Sequence, residues 1–191
     1  MYALPPVTQA LIVVNVVMYF VEAALGPSVS ALLALWPVGP YFMPWQLLSY
    51  AFVHAGLPHL LFNMFGVYMF GSDVERVWGG RRYLSFYLIC ALSAAALQLV
   101  VAGLAGATYT TVGASGAVFG LLLAFARLFP NRVVVPLFPP IPMRAPVFVA
   151  VYGALELVLG VTGTQEGVAH FAHLGGLAGG YLFMRFGRMR P

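Results

Sequence analysis

The chain has 191 residues, of which 62% are hydrophobic and 7% are charged, and its mean hydropathy is +0.93. Soluble domains carry about 25% charged residues, so this composition excludes a soluble domain and predicts an integral membrane protein. The net charge of +4 does not indicate a nucleic-acid partner, because a basic patch that binds RNA or DNA needs a solvated face. The single cysteine, Cys90, excludes an internal disulfide.

Six apolar runs predict an all-α bundle of six transmembrane helices that forms a single domain over residues 1–191. The predicted helices cover about Thr8–Leu25, Leu57–Val74, Tyr83–Leu104, Ser115–Arg127, Pro146–Val161 and Val168–Phe186. Asn15 and Glu22 lie seven residues apart on the first helix, so they share a face that is expected to point into the bundle. Glu156, inside the fifth helix, is expected to bond a neighbouring helix.

The loop between the first two predicted helices, of about 25 residues, is longer and more apolar than ordinary loops. It contains prolines and the aromatic residues Trp36, Tyr41, Phe42 and Trp45. Aromatic side chains settle at the boundary between membrane and water. This long first loop is therefore predicted to lie in the membrane interface.

The basic residues predict how the chain is oriented, because cytoplasmic loops of membrane proteins are enriched in Lys and Arg. They are all arginines and fall after the second helix, after the fourth helix and at the C-terminal end, at positions 76, 81, 82, 127, 132, 144, 185, 188 and 190. These segments are therefore predicted to be cytoplasmic. With six helices, both termini lie in the cytoplasm, and Ser115 and the four histidines lie toward the opposite side.

The fourth predicted helix is too short to cross a bilayer. It has about 13 residues, or roughly 20 Å, whereas a bilayer core is about 30 Å thick. Its first residue, Ser115, is therefore expected to be recessed below the membrane surface, where non-helical backbone is tolerated only inside protein or beside a wet cavity. A serine at such a helix N-terminus suggests catalysis; the alternative is a small-residue packing patch, which is common in membrane helices.

Polar residues from three predicted helices converge at the depth of Ser115. His59 and Asn63 share a face of the second helix, and His173 lies on the sixth. A serine nucleophile needs a base within hydrogen-bond reach and donors for the developing oxyanion. The neutral imidazole of His173 suits the base, while Asn63, His59 and the backbone N–H of Ser115 can donate to an oxyanion.

Two stripes of small residues make this approach of serine and histidine plausible. Gly116 and Gly120 form one stripe on the fourth helix, and Gly176 and Gly180 form another on the sixth. Such stripes let helix backbones come close together. The short serine side chain can be reached by His173 only across a close helix contact.

These motifs resemble the rhomboid family of intramembrane serine proteases. The matching stretches are His54 and His59–Asn63, Gly113–Gly116, Ala172–Gly176 with Gly180, Glu75-Arg76 with Gly79, and Pro5–Thr8. The first three motifs, in this order and at this spacing, are specific for the family. The Gly-x-Ser-Gly stretch alone is weak evidence for it. The resemblance covers essentially the whole chain as a six-helix core. The family's first loop usually carries Trp-Arg, where this chain has Trp45-Gln46.

The resemblance implies a serine endopeptidase that needs no cofactor or metal and cuts single-pass membrane proteins in or near their transmembrane helices, within the lipid bilayer. It implies that Ser115 is the nucleophile and His173 the base of a dyad, with His59 and Asn63 in the oxyanion hole. Supporting roles are implied for four further residues, namely His54, Gly113, Gly116 and Phe119, whose ring would pack against the base. The expected location is the inner membrane of a prokaryotic cell.

Several alternatives stand beside this interpretation. His170, one turn before His173, is an alternative base, although the spacing to Gly176 favours His173. The alternative function is an inactive rhomboid-like scaffold that binds transmembrane clients; inactive members typically lose the serine or the histidine, and both are present here. A zinc site among the histidines is disfavoured because no Cys or Asp lies nearby, and a transporter because no inverted repeat is visible.

Overall fold

The structure, a computed structural model, describes residues 3–137, 139–163 and 169–187. Helices dominate these ranges; they are α1 (Pro6–Leu25), α2 (Pro27–Leu33), α3 (Gln46–Ser49), α4 (Leu57–Gly66), α5 (Ser72–Trp78), α6 (Gly80–Ala105), α7 (Ser115–Leu128), α8 (Ala145–Thr162) and α9 (His170–Phe186). A 3₁₀ turn (Tyr50–Phe52) follows α3, and a π-helical turn (Val67–Gly71) joins α4 to α5. Two short antiparallel strands, β1 (Val133–Val134) and β2 (Met143–Arg144), precede α8.

Within the described ranges, three helices are long and apolar enough to cross a membrane. They are α1 with 20 residues, α6 with 26 and α8 with 18, while α7 is apolar but has only 14. Large apolar side chains such as Phe20, Val100 and Val158 are more than half exposed. Lipid tails would cover these faces. The prediction of a mostly helical integral membrane protein is confirmed.

The observed helix boundaries differ from the predicted ones at the end of the second predicted helix and in the long first loop. The second predicted helix continues through the π-helical turn to Trp78 instead of ending at Val74. Gly79 then separates α5 from α6 with a φ of +76°, a conformation that favours glycine. The long first loop contains α2 and α3, which were not predicted. The predicted start of the sixth helix at Val168, and Arg188 and Arg190, lie outside the described residues.

Gln46 ties the long first loop together. Its Oε1 accepts from the backbone N–H of Met43 at 3.1 Å and of Trp36 at 3.4 Å. Its Nε2 lies 3.2 Å from the carbonyl oxygen of Tyr41 and 3.3 Å from that of Leu32, to which it donates. The side chain is 1% exposed, so its polar atoms depend on these partners. A neutral amide therefore organises the loop where the resemblance led us to expect an arginine.

Small residues bring α6, α7 and α9 into close contact, of which the two glycine stripes predicted the contact between α7 and α9. A Cβ atom added to Gly176 on α9 would overlap the carbonyl oxygen of Gly116 on α7. One added to Gly120 would lie 3.2 Å from the carbonyl oxygen of Gly176 and would overlap the sulfur of Cys90 on α6. The backbones of α7 and α9 thus touch without intervening side chains, which brings their first turns close together.

Buried polar side chains hold α1 against the bundle. Glu75 on α5 accepts hydrogen bonds from the backbone N–H groups of Val7 and Thr8, at 2.9 and 2.6 Å, and from the Thr8 hydroxyl at 2.7 Å. These contacts satisfy free N–H groups at the start of α1. Farther along α1, Asn15 is fully buried and Glu22 is 9% exposed, which confirms that both point into the bundle.

Candidate active site

Ser115 begins α7 after a segment that the first loop holds in place. Thr111 pairs with Leu35 through two backbone hydrogen bonds of 2.9 and 3.0 Å, and the N–H of Gly113 donates to the carbonyl of Tyr50 at 2.9 Å. Gly113 has a φ of +117°, which residues with a side chain rarely adopt. These contacts fix the chain's entry into α7, and Ser115 is the first helical residue and is partly exposed.

Ser115 and His173 are joined by a hydrogen bond between the first turns of α7 and α9. Oγ of Ser115 lies 2.8 Å from Nε2 of His173, which is 8% exposed. At this distance the hydroxyl can donate its proton to an unprotonated Nε2. A serine hydroxyl within reach of a nitrogen base is the geometry required for activating a serine nucleophile.

The ring of Phe119 fixes the plane of the His173 imidazole. Phe119 lies one turn after Ser115 on α7, and its ring stacks on that of His173 with centroids 4.5 Å apart and an angle of 10° between the planes. A stacked ring restricts rotation of the imidazole, so Nε2 stays directed at Oγ and Nδ1 at the opposite side.

On that opposite side lies Glu156 of α8. Its Oε2 is 2.9 Å from Nδ1 of His173, in a bent contact outside hydrogen-bond alignment, and 2.6 Å from Nδ1 of His170, with which it forms a hydrogen bond. The prediction that Glu156 bonds a neighbouring helix is confirmed. Its place beside the candidate base was missed, because no sequence spacing relates α8 to α9. The available signal was a single charged residue in an otherwise apolar helix.

His59 and Asn63 face the backbone just before Ser115. A Cβ atom added to Gly113 would lie 2.6 Å from Nε2 of His59 and 3.7 Å from Nδ2 of Asn63. Nδ2 of Asn63 donates one proton to the carbonyl of His59 at 2.9 Å, which leaves its second N–H for another acceptor. The residues suggested for an oxyanion hole therefore lie around the segment that leads into the serine.

His54 packs against the ring of His59. The two rings meet edge to face, with centroids 5.2 Å apart. His54 is 6% exposed, and its backbone N–H lies 3.4 Å from Oε2 of Glu22 on α1. His54 thus packs between α1 and the His59 ring, in a position that suits support of that ring.

Two of the four histidines belong to a cluster of side chains that could act as metal ligands. Among the described residues, three side chains offer ligand atoms within 4.8 Å of one another, and they are Glu156, His170 and His173. From the sequence, only histidines were considered as possible metal ligands, and Glu156 was not included. Its separations of 2.6 and 2.9 Å from the two imidazoles are hydrogen-bond distances, shorter than the spacing of about 3.3 Å between ligands placed tetrahedrally around Zn²⁺.

Comparisons with known proteins identify the family to which the chain is similar. Residues 41–190 match the Rhomboid domain family. The chain is 34% identical over 145 residues to RHOMBOID-like protein 4 of Arabidopsis thaliana, a match that covers 72% of this chain and 32% of that protein. It is 31% identical over 143 residues to Rhomboid protease GluP of Bacillus subtilis, covering 72% and 25% of the two chains. It is 30% identical over 140 residues to the Putative rhomboid protease YdcA of the same organism, covering 72% and 64%.

The chain therefore spans between about a quarter and two thirds of the length of these relatives. The family match includes Asn63, Ser115 and His173 and extends over most of the chain. It also contains α4 to α9. This chain belongs to the rhomboid family of intramembrane proteases.

Proposed function

We propose that the chain is a single rhomboid domain that acts as an intramembrane serine endopeptidase, with Ser115 as nucleophile and His173 as base. The observation that carries this proposal is the 2.8 Å contact between Oγ of Ser115 and Nε2 of His173. Family membership supports it, and the stacked ring of Phe119 holds the imidazole in place. A scaffold that only binds membrane clients would not need this arrangement.

Acylation would begin when Oγ of Ser115 attacks the carbonyl carbon of the scissile peptide bond. The hydroxyl proton passes to Nε2 of His173, and the carbonyl oxygen takes the negative charge. The tetrahedral intermediate then collapses as the C–N bond breaks. His173 returns its proton to the departing amine, and the other half of the substrate remains attached to Ser115 as an ester.

Deacylation would use water as the second nucleophile. His173 removes a proton from a water molecule, whose oxygen attacks the ester carbonyl carbon. The second tetrahedral intermediate breaks its bond to Oγ, and Ser115 regains its proton from His173. The product leaves with a new carboxyl group, so the net reaction is hydrolysis of one peptide bond.

The oxyanion would be stabilised by donors near the start of α7. The backbone N–H of Ser115 has no helical partner at this helix start, where the helix dipole also favours negative charge. The free N–H of Asn63 and a ring nitrogen of His59 supply further donors, as their position around Gly113 supports. Such fixed donors lower the barrier most in a site that excludes bulk solvent.

We further propose six membrane crossings, formed by α1, the continuous run α4–α5, α6, α7, α8 and α9, with both termini in the cytoplasm. The 14 residues of α7 would span about 21 Å, which leaves about 10 Å of the bilayer core uncovered above Ser115. Water would reach the recessed serine through a cavity lined by polar residues, open to the non-cytoplasmic side. The partial exposure of Ser115 supports this.

The substrate would be a single-pass membrane protein that enters sideways from the lipid. The rest of the protein covers little of α8, because only Ala145, Phe148 and Glu156 of its 18 residues are buried. This low burial supports entry between α4 and α8. A helix with so few buried residues can move at low cost. We propose cleavage in or near the substrate's transmembrane helix, in a prokaryotic inner membrane.

The test is cleavage of a transmembrane reporter peptide by the purified protein in liposomes, comparing wild type with Ser115→Ala. We expect the wild type to cut the reporter, the variant to leave it intact, and a chelator to have no effect. Binding of the reporter by wild type without any product would support the inactive scaffold instead. Equal cleavage by both proteins would exclude Ser115 as the nucleophile.

A further inference from the structure

We propose that Glu156 is a positioning residue that acts on the reaction through His173, so that the site works as a Ser115–His173–Glu156 triad rather than as a dyad. This inference rests on the proposed function and concerns the same site. In space, His173 lies between the other two groups. The distance is 2.8 Å between Oγ of Ser115 and Nε2 of His173, and 2.9 Å between Nδ1 of His173 and Oε2 of Glu156.

Burial of the Glu156 side chain carries a desolvation cost, which a role in the site would explain. It is 9% exposed, and no other charged residue occurs in α8. Taking a carboxylate out of water is expensive unless it is paired and hydrogen-bonded. Its two imidazole partners, His170 and His173, are 5% and 8% exposed, so the three groups form one buried polar cluster between α8 and α9.

The carboxylate would select the tautomer of His173 that the reaction needs. In neutral imidazole one ring nitrogen carries the proton and the other accepts. An oxygen 2.9 Å from Nδ1 favours the proton on that nitrogen, which leaves the lone pair of Nε2 facing the hydroxyl of Ser115. Without Glu156, the proton can sit on Nε2 instead, and that form cannot remove the serine proton.

The carboxylate would also stabilise the charged imidazole. When His173 takes the proton of Ser115 it becomes a cation next to Glu156, and the attraction is strong in a buried site. This attraction does not depend on an aligned hydrogen bond. The bent contact of the resting structure therefore suffices, and catalytic contacts commonly tighten once substrate is bound.

His170 would hold the carboxylate in position. Its Nδ1 donates to the same oxygen of Glu156 at 2.6 Å, from one turn before His173 on α9. The oxygen is therefore held against α9 even while its contact with His173 adjusts. This contact gives His170 a part in the site that differs from that of the base.

The experiment compares wild type with Glu156→Gln, which keeps the shape of the side chain and removes its charge. We expect kcat to fall by about 10²–10⁴-fold, the upper end being the loss on neutralising the third member of a serine triad, with KM almost unchanged. The rate at which a fluorophosphonate labels Ser115 should fall with it. Glu156→Asp retains the charge and should recover part of both rates.

Glu75→Gln is the matched control, because Glu75 is also a buried glutamate but holds α1 in place. It should lower the thermal unfolding temperature and leave the labelling rate of the folded fraction unchanged. Wild-type kcat in Glu156→Gln would overturn the triad while leaving the proposed function intact, provided that wild type itself cleaves. Activity that is lost with a chelator and restored by Zn²⁺ would also overturn it, since the cluster would then be a metal site.

Discussion

Gly176 on α9 lies so close to the carbonyl oxygen of Gly116 on α7 that a methyl group has no room between them. This contact lies next to Ser115 and one turn from His173, so it sets the separation of the first turns that carry them. The candidate site therefore depends on two glycines that carry no chemistry of their own.

Gly176→Ala should destabilise the protein and reduce its activity. Overpacking of this kind costs about 1–3 kcal/mol, and pushing α9 away from α7 would lengthen the contact between His173 and Ser115. Thermal unfolding in detergent measures the first effect, and reporter cleavage the second. Gly103→Ala on α6 is the matched control, because a Cβ there meets nothing within 4 Å. An unchanged unfolding temperature in Gly176→Ala would show that α9 accommodates the methyl group freely.

Ser115→Ala and His173→Ala should each abolish cleavage while the fold is retained. Removing both side chains should cost no more than removing one, because members of a catalytic unit act together. Cleavage assays of the two single variants and the double variant, normalised to folded protein, provide the comparison. Additive losses would mean that the two residues act independently.

His170→Ala should retain much more activity than His173→Ala. His170 contacts Glu156, whereas His173 contacts the hydroxyl of Ser115. Loss of the His170 side chain removes one hydrogen bond to the Glu156 carboxylate but leaves the base, His173, in place. Cleavage rates of the two variants under the same conditions decide the order. The reverse order would make His170 the base.

Asn63→Ala should lower kcat by about 10–1000-fold with KM little changed, since removing one oxyanion donor acts on the transition state. Asn15→Ala is the matched control. Asn15 is a buried asparagine on α1, and its Nδ2 donates to the carbonyl four residues earlier, as that of Asn63 does. Steady-state kinetics of the two variants provide the test. A higher KM with normal kcat in Asn63→Ala would assign the residue to substrate binding.

Water should reach Ser115 from the non-cytoplasmic side only. In a Cys90→Ala background, Ser115→Cys should react with a small membrane-impermeant thiol reagent added to that side of sealed vesicles. The partial exposure of Ser115 and the short α7 are the reasons for this expectation. Labelling from the cytoplasmic side alone would overturn the proposed orientation. A residue that resists labelling from both sides would indicate a dry packing serine.

The sequence predicted those features whose signal is local. The start of α7 at Ser115 was placed correctly, because polar residues give way to an apolar run at that position. The close contact of α7 with α9 followed from Gly116 and Gly176, since glycines at helical spacing have a direct packing consequence.

Features whose distant partners are not marked by a residue pattern were not predicted. Glu156 was expected to bond another helix, but its two imidazole partners follow 14 and 17 residues later on α9, and no sequence spacing relates positions on two separate helices. The short helices of the first loop were missed because a few residues carry little periodicity. The bonds of Gln46 to four backbone groups likewise arise only once that loop has folded.

The most direct measurement of the central claim is the site of covalent modification by a fluorophosphonate. Such reagents react with an activated serine hydroxyl, and the residue that carries the adduct can be identified by mass spectrometry of the digested protein. We predict a single adduct on Ser115 that is absent from His173→Ala and from unfolded wild type. An adduct on another serine, or equal labelling of Ser115 in His173→Ala, would contradict the account.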